Sequence, residues 1–215
     1  MKKVRILCYG DSNTWGYISG SNHERYSDEK RWPKVLAGLL DDDFEIIEEG
    51  LNSRTLVSSD LRPGKEGKNG YEYLIPCLDT HDPIDLVVLM LGTNELKNTY
   101  HKTAFEIGEI LEKYFVKTII NRKSQFKDSY PKLLLVTPPV INEFTDYCKK
   151  DNKYLGATEK SRQLNSIYDE IAKRNNCYFL SNGELEVGID GVHLTEDSHQ
   201  TLAETLCDKI KDIYK

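Results

Sequence analysis

A serine near one end of this 215-residue chain and an aspartate and histidine near the other are the residue types that acyl transfer requires. The reaction needs a nucleophile, a base to take its proton, and donors for the oxyanion that develops. Ser12 follows an apolar run and the dipeptide Gly10-Asp11. If a helix begins there, the serine N–H points into the site. His193 is the candidate base, because an unperturbed imidazole titrates near neutrality. Asp190 lies three residues earlier, and in a turn its carboxylate can reach the far ring nitrogen and fix the tautomer. The order Ser, Asp, His is compatible with a triad, although Asp-x-x-His alone is a weak signal.

Elements must bring these distant residues together. Val4–Tyr9 reads as a buried strand ending at Gly10-Asp11-Ser12. Trp32–Leu40 reads as a helix with Trp32, Val35, Leu36 and Leu39 on one face, and Phe44–Ile47 as a second strand running toward Glu48-Glu49-Gly50. The polar, glycine-bearing stretch 52–70 reads as loop, and Tyr71–Leu78 as a short helix. Ile84–Leu91 is apolar without alternation, the pattern of a parallel strand covered on both faces. Thr103-x-x-Glu106 is a capping-box signature. Ile107, Ile110, Leu111, Tyr114 and Thr118 follow it at helical spacing. Leu133–Thr137 is a strand stopped by Pro138-Pro139, Leu164, Ile167, Tyr168 and Ile171 mark a helix, and Cys177–Leu180 is a fifth strand. The last helix starts near Thr195, with acidic Glu196 and Asp197 in its first turn and Leu202, Leu206, Ile210 and Ile213 on its buried face.

Five strands alternating with helices predict a five-stranded parallel sheet in a three-layer α/β/α sandwich. No repeat or linker divides the chain, so residues 1–215 read as one domain. Ligands in such folds bind beyond the carboxyl ends of the strands. Asp11-Ser12, Gly50–Arg54, Gly92–Asn94 and the Asp190–His193 loop all fall there.

With these segments placed, Gly10-Asp11-Ser12-Asn13-Thr14-Trp15-Gly16 resembles the first block of the SGNH (GDSL-type) hydrolases. Glu48–Thr55 resembles the second, Leu91-Gly92-Thr93-Asn94-Glu95 the third, and Asp190–Thr195 the fifth. The closest likeness is to the arylesterase/acyltransferase branch, whose members handle short acyl groups. The resemblance implies a flavodoxin-like fold and a ping-pong serine esterase, with Ser12 as nucleophile, His193 as base and Asp190 as its orienter. It implies an oxyanion hole from the Ser12 N–H, the Ser53 N–H and the Asn94 amide, with Gly50 contributing or shaping the loop. It also implies a homo-oligomer that narrows the pocket entrance. Asn13 replaces the leucine of the signature, and Glu95 replaces the commoner aspartate.

Each residue also has a plainer reading. Asp11 reads equally as a positioning residue or a turn former. Trp15 is pocket wall or core, and Asn94 is oxyanion donor or turn former. Arg54 either meets an anionic substrate group or serves as a structural ion pair or loop anchor. Asp11, Asn13, Trp15 and Arg54 together are the expected pocket residues. His23, His81, His101 and His199 read as surface or packing residues. Residues 138–155 read as a lid or an interface.

Composition bounds the function. Net charge is −6, from 29 Lys+Arg against 35 Asp+Glu, which gives no electrostatic footprint for nucleic acid. No run approaches the roughly 20 apolar residues of a membrane helix, and the short N-terminal apolar stretch is no signal-peptide core. A cytoplasmic protein is therefore expected. The five cysteines are odd in number, scattered and without C-x-x-C, as reduced packing thiols are. Asp41-Asp42-Asp43 reads as a solvated helix end rather than a metal site, and no cofactor is called for. The leading expectation is an esterase for small aryl or carbohydrate acetyl esters, with acyl transfer to alcohols as a second outcome. A lysophospholipase or thioesterase, and a non-catalytic module on the same fold, are the alternatives. A nucleotide binder is disfavoured by the lack of a P-loop Lys-[Ser/Thr] pair and of G-x-G-x-x-G.

Overall fold

The computed structural model describes residues 3–60 and 63–215. Five parallel strands lie in the order β2-β1-β3-β4-β5. They are β1 (Val4–Gly10), β2 (Phe44–Gly50), β3 (Leu86–Met90), β4 (Lys132–Val136) and β5 (Tyr178–Leu180). The central strand β3 is buried along its whole length, as its unalternating apolar sequence predicts. Its odd-numbered side chains, Val87 and Leu89, join Leu7 and Tyr9 of β1 on one face. Leu86, Val88 and Met90 join Ile6 and Cys8 on the other. The period of two thus feeds two separate cores, one on each side of the sheet.

One face is covered by α3 (Gly70–Thr80), α4 (Ala104–Ile110), α5 (Lys117–Ile120) and α7 (Ala157–Arg174), which supply Leu74, Ile107, Ile119, Leu164 and Tyr168. The other is covered by α2 (Trp32–Leu39) and α8 (Glu196–Ile213), which supply Trp32, Leu36, Leu202, Leu206 and Ile210. Two one-turn helices complete the set: α1 (Ser12–Trp15) and α6 (Asp146–Lys149). This is the three-layer sandwich expected, and among the described residues no helix is long and apolar enough to cross a membrane.

Caps behave as their residues dictate. Thr103 and Glu106 close the capping box of α4, with Thr103 N–H donating to Glu106 Oε2 at 2.8 Å and Glu106 N–H donating to Thr103 Oγ1 at 3.2 Å. The Thr195 hydroxyl accepts from Ser198 N–H at the start of α8. The helix expected over 107–118 is not uniform. A π-helical turn, Leu111–Val116, separates α4 from α5. The wider turn carries the buried stripe from Leu111 to Phe115 and Ile119, one residue beyond Tyr114 and Thr118. Among its described residues, the expected 52–70 loop holds no helix or strand before Asn69, whose side chain caps α3.

Strand order reverses at β1, whose next-in-sequence strand β2 lies on one side and β3 on the other. The crevice between the ends of β1 and β3 is therefore the topological switch point of the sheet. Gly10-Asp11-Ser12 leaves β1 there, and Gly92-Thr93-Asn94 follows β3 there.

Candidate active site

Ser12 is the first residue of α1. Asp11 caps this turn through its carboxylate, which accepts from Asn13 N–H at 2.9 Å, and Gly16 ends it in the left-handed conformation. A chain that turns this sharply sets the Ser12 side chain at the rim of the sheet. His193 meets it there, from the loop between β5 and α8, with His193 Nε2 to Ser12 Oγ at 2.9 Å. The other ring nitrogen, Nδ1, lies 2.6 Å from Asp190 Oδ2. Asp190 Oδ1 accepts from the N–H groups of Val192 and His193, at 2.9 and 3.0 Å. Burial opposes the charge on Asp190, but the hydrogen bond and charge of His193 and the two backbone donors outweigh it and hold the carboxyl below its ordinary range. The side chains of Ser12, His193 and Asp190 thus form one unbroken hydrogen-bonded chain.

This His193 loop is braced from two sides. Asn13 Oδ1 accepts from Leu194 N–H at 2.9 Å, and Asn13 Nδ2 donates to Val192 O at 3.3 Å, so one amide grips both neighbours of the histidine. On the far side, Thr145 Oγ1 donates to Asp190 O at 3.2 Å, and Asn142 N–H donates to Gly191 O at 2.9 Å. Tyr17 stacks on the imidazole itself, with ring centroids 4.4 Å apart.

A cleft of about 350 Å³ opens over Ser12 and His193. Ser53 and Asn94 line it too. Ser53 holds a left-handed backbone (φ 65°), and among the described residues its N–H and that of Ser12 have no acceptor. Asn94 is buried, and its Nδ2 donates one hydrogen to Arg54 O at 2.8 Å, leaving the second free for another acceptor. Lys97 Nζ reaches Asn94 Oδ1 at 2.6 Å, which fixes the sense of the amide. Gly50 has a different task. A Cβ there would lie 2.3 Å from the backbone nitrogen of Trp15, so glycine lets the end of β2 approach α1.

The four residues expected in the substrate pocket do not line this cleft. Asp11 is spent on capping α1. Asn13 faces the histidine loop, as above. Trp15 lies under the Arg25 guanidinium, 5.0 Å from its ring centroid, and its carbonyl accepts from Arg25 Nε at 2.6 Å. Arg54 is a loop anchor. Its Nη1 donates to Gly10 O at 2.8 Å and to Glu49 O, and its guanidinium lies 4.1 Å from the Tyr9 ring centroid.

Other residues fill the places the sequence left blank. Residues 138–155 form a wall of the cleft, contributing Tyr147, Lys153 and Tyr154. Tyr17, Asn52, Lys65, Lys68, Lys97, Val192 and the exposed His23, read from sequence only as a surface or packing residue, complete the lining that sequence reading missed. Tyr17 directly follows Gly16 of the first block, which was the one available signal. The lysines lie in irregular segments without periodicity.

Buried His199 and Glu95 titrate far from their usual range. His199 Nδ1 accepts from Trp32 N–H at 3.2 Å, and burial, reinforced by His193, lowers its pKa to about 3. Packing is therefore its role. Glu95 accepts from Leu56 N–H and so ties the residue after the second block to the third. Burial pushes its carboxyl up to about 8, against the opposing hydrogen bond from Leu56.

The side chains best grouped to hold a metal, among the described residues, are Glu49, Cys77 and His81, whose ligand atoms lie within 4.8 Å of one another. None of them lines the cleft. Burial, then the Glu49 charge, pushes the Cys77 thiol up to about 12, which keeps it protonated and a poor ligand. All five cysteines are free thiols.

Similarity to known proteins follows the same geometry. The profile of the GDSL-like lipase/acylhydrolase family matches residues 8–201. Est24, a carbohydrate acetylesterase from Sinorhizobium meliloti, is 34% identical with a TM-score of 0.88, over 98% of this chain and 100% of that one. The native aryl esterase of M. smegmatis is also 34% identical, with a TM-score of 0.87 over 99% of both chains. A lipase/acylhydrolase from Enterococcus faecalis, 16% identical with a TM-score of 0.68 over 99% of this chain and 96% of that one, shares the fold alone. No curated protein matches. The chain belongs to the GDSL-like lipase/acylhydrolase family and is a carboxylic ester hydrolase of the SGNH type.

Proposed function

We propose that this esterase cleaves short-chain acyl esters, aryl or carbohydrate acetyl esters, through an acyl-enzyme on Ser12. The observation that carries the reading is the chain of short contacts from Ser12 Oγ to His193 and on to Asp190, opening onto a small cleft. Ser12 Oγ attacks the ester carbonyl as His193 Nε2 takes its proton. The Ser12 and Ser53 N–H groups and the Asn94 amide hold the oxyanion. His193 returns the proton to the leaving alcohol, and water or a second alcohol then releases the acyl group. Asp190 keeps its negative charge throughout and steadies the imidazolium.

The size and polar lining of the cleft support short acyl groups over a lysophospholipase or thioesterase substrate, which needs a long apolar trough. The intact contacts weigh against a non-catalytic module. The names of the two 34%-identical relatives support acetyl esters of sugars or phenols. Homo-oligomerisation belongs to the same proposal, supported by exposed Phe144, Tyr147 and Leu155 on the wall segment. So does a cytoplasmic setting, which the free thiols suit.

The test is a chain-length series of nitrophenyl esters with wild type and Ser12→Ala. Expected are a burst of nitrophenol, the highest kcat/KM for acetate, and loss of activity in Ser12→Ala. Full activity in Ser12→Ala would overturn the mechanism, and a preference for long chains would overturn the substrate class. Light scattering of the pure protein tests the oligomer.

A further inference from the structure

Fourteen residues line the cleft over Ser12; four are lysines and none is Asp or Glu, although the whole chain carries 35 acidic against 29 basic residues. The four come from separate stretches. Lys65 and Lys68 follow the second block, Lys97 follows the third, and Lys153 leaves the wall segment. All four are half-buried rather than spread into solvent.

Several lysines elsewhere in the fold have counter-ions. Lys30 meets Glu196, Lys127 meets Asp85 and Lys173 meets Asp169. Among the described residues, no carboxylate lies within ion-pair distance of Lys65, Lys68 or Lys153. Lys153 is instead held by aromatic rings and a hydroxyl. Its Nζ lies 4.5 Å from the Tyr147 ring centroid and 5.8 Å from that of Tyr154, and donates to Tyr147 Oη at 2.8 Å. Lys68 is fixed by its own backbone, whose carbonyl accepts from Thr55 N–H at 2.8 Å, two residues beyond Ser53. Burial, with Lys65 and Arg54 nearby, lowers the Lys68 pKa from its ordinary value. Lysines gathered on a small cleft whose lining holds no carboxylate, with Asp60 bearing on Lys68 from outside that lining, are a binding field for an anion.

We infer that the ester this enzyme takes is an anion, a small acyl ester whose remaining part carries a carboxylate or a phosphate held by Lys65, Lys68 and Lys153 beside Ser12. The inference rests on the esterase reading of this site and adds the charge of its substrate. Lys97 is engaged with Asn94 and adds to the field without being needed as a direct ligand. The acid group would sit on the part that does not react, and its binding would place the ester carbonyl over Ser12.

The experiment compares phenyl acetate with 4-acetoxybenzoate and with 4-acetoxyphenyl phosphate. Each kcat/KM is divided by the rate of hydroxide-catalysed hydrolysis of the same ester. For the wild type at about 20 mM salt, at least one anionic ester is expected to exceed phenyl acetate about tenfold, and the ratio should shrink toward one at about 500 mM salt. The larger of the two ratios identifies carboxylate or phosphate. Lys68→Gln and Lys153→Gln should each reduce that ratio severalfold, mainly through KM. Circular dichroism of both variants shows that they are folded. A ratio at or below one for both anions, with phenyl acetate hydrolysis still dependent on Ser12, overturns the inference alone. So does a preference that neither variant alters. Hydrolysis of phenyl acetate that survives in Ser12→Ala overturns the esterase reading beneath it.

Discussion

The side chain of Asn13 holds the backbone of Leu194, 181 positions away, through a 2.9 Å bond from the Leu194 N–H. With its second bond, to Val192 O, it ties the turn of Ser12 to the loop of His193. The family signature has leucine here, and a leucine has no polar atom with which to do this. Asn13→Leu is expected to leave Leu194 N–H buried without a partner. That costs about 1–3 kcal/mol and lets His193 drift from Ser12. Urea denaturation should show the loss, and kcat should fall with little change in KM. Asn13→Asp keeps the acceptor for Leu194 N–H but sets a carboxylate oxygen against Val192 O, so it should recover only part of both.

Asp190 is the second lever on the same histidine. Its two oxygens divide their work. One bonds Nδ1 of His193, and the other accepts the two N–H groups of the loop. Asp190→Asn keeps the shape but loses the charge and favours the wrong tautomer, so kcat should fall by about 10³–10⁴. Pre-steady-state kinetics should place the loss in acyl-enzyme formation. A loss below about tenfold would show that the carboxylate is not the orienter.

The fold and the meeting of Ser12, His193 and Asp190 were legible in the sequence for separate reasons. Strands such as Leu86–Met90 announce themselves by unbroken apolar runs, and their order follows from alternation with helices. Ser12, Asn94 and His193 were legible because they follow strand ends, where a parallel sheet gathers its loops. The pocket walls were not. Lys65, Lys68 and Lys153 sit in irregular segments, and their convergence depends on loop paths that no periodicity records. Trp15 and Arg54 misled because chemical capability was read as exposure to substrate. Instead, Arg54 spends its donors on the carbonyls of Gly10 and Glu49. The shift of the buried stripe at Phe115 was hidden because a π turn has no clear mark in composition.

His199 makes stability depend on pH. Its folded-state pKa is about 3, against 6.5 for the ordinary group. Between those values the unfolded chain binds a proton that the folded chain does not. The contribution is therefore complete above pH 6.5 and is lost as pH falls toward 3, by an amount on the order of a few kcal/mol. His199→Gln can still accept from Trp32 N–H through its side-chain carbonyl. It should flatten the fall in urea midpoint between about pH 7 and about pH 5. An unchanged slope would show that the imidazole is not the group responsible.

Glu95 acts with the opposite sign. Its folded-state pKa, about 8, lies above the 4.5 of the ordinary group, so the folded protein holds the extra proton between those values. Stability from this group is complete below pH 4.5 and declines as pH rises through 8. Glu95→Gln keeps an oxygen for the Leu56 N–H and has no charge to bury. It should equal the wild type in acid and exceed it in urea midpoint near about pH 8. Where the windows of His199 and Glu95 overlap the two slopes oppose each other, so the single variants reveal what the wild-type curve conceals.

Gly50 and Ser53 allow packing to be separated from oxyanion binding. A methyl group on Gly50 would press on the Trp15 backbone at 2.3 Å, where no flexible side chain can yield. Gly50→Ala should therefore lose about 1–3 kcal/mol of stability, with the fall in activity following the fall in folded fraction. Ser53 presents its N–H from a left-handed backbone that glycine adopts without strain. Ser53→Gly keeps that N–H and removes only the hydroxymethyl group. Activity near that of the wild type is expected if the backbone is the donor, and a loss of about 10²-fold or more would assign the role to the hydroxyl instead. Gly50→Ala that stayed fully folded while losing kcat would give the close approach of Gly50 to Trp15 a part in shaping the oxyanion site. Thermal melts beside kcat and KM for both variants decide among these outcomes.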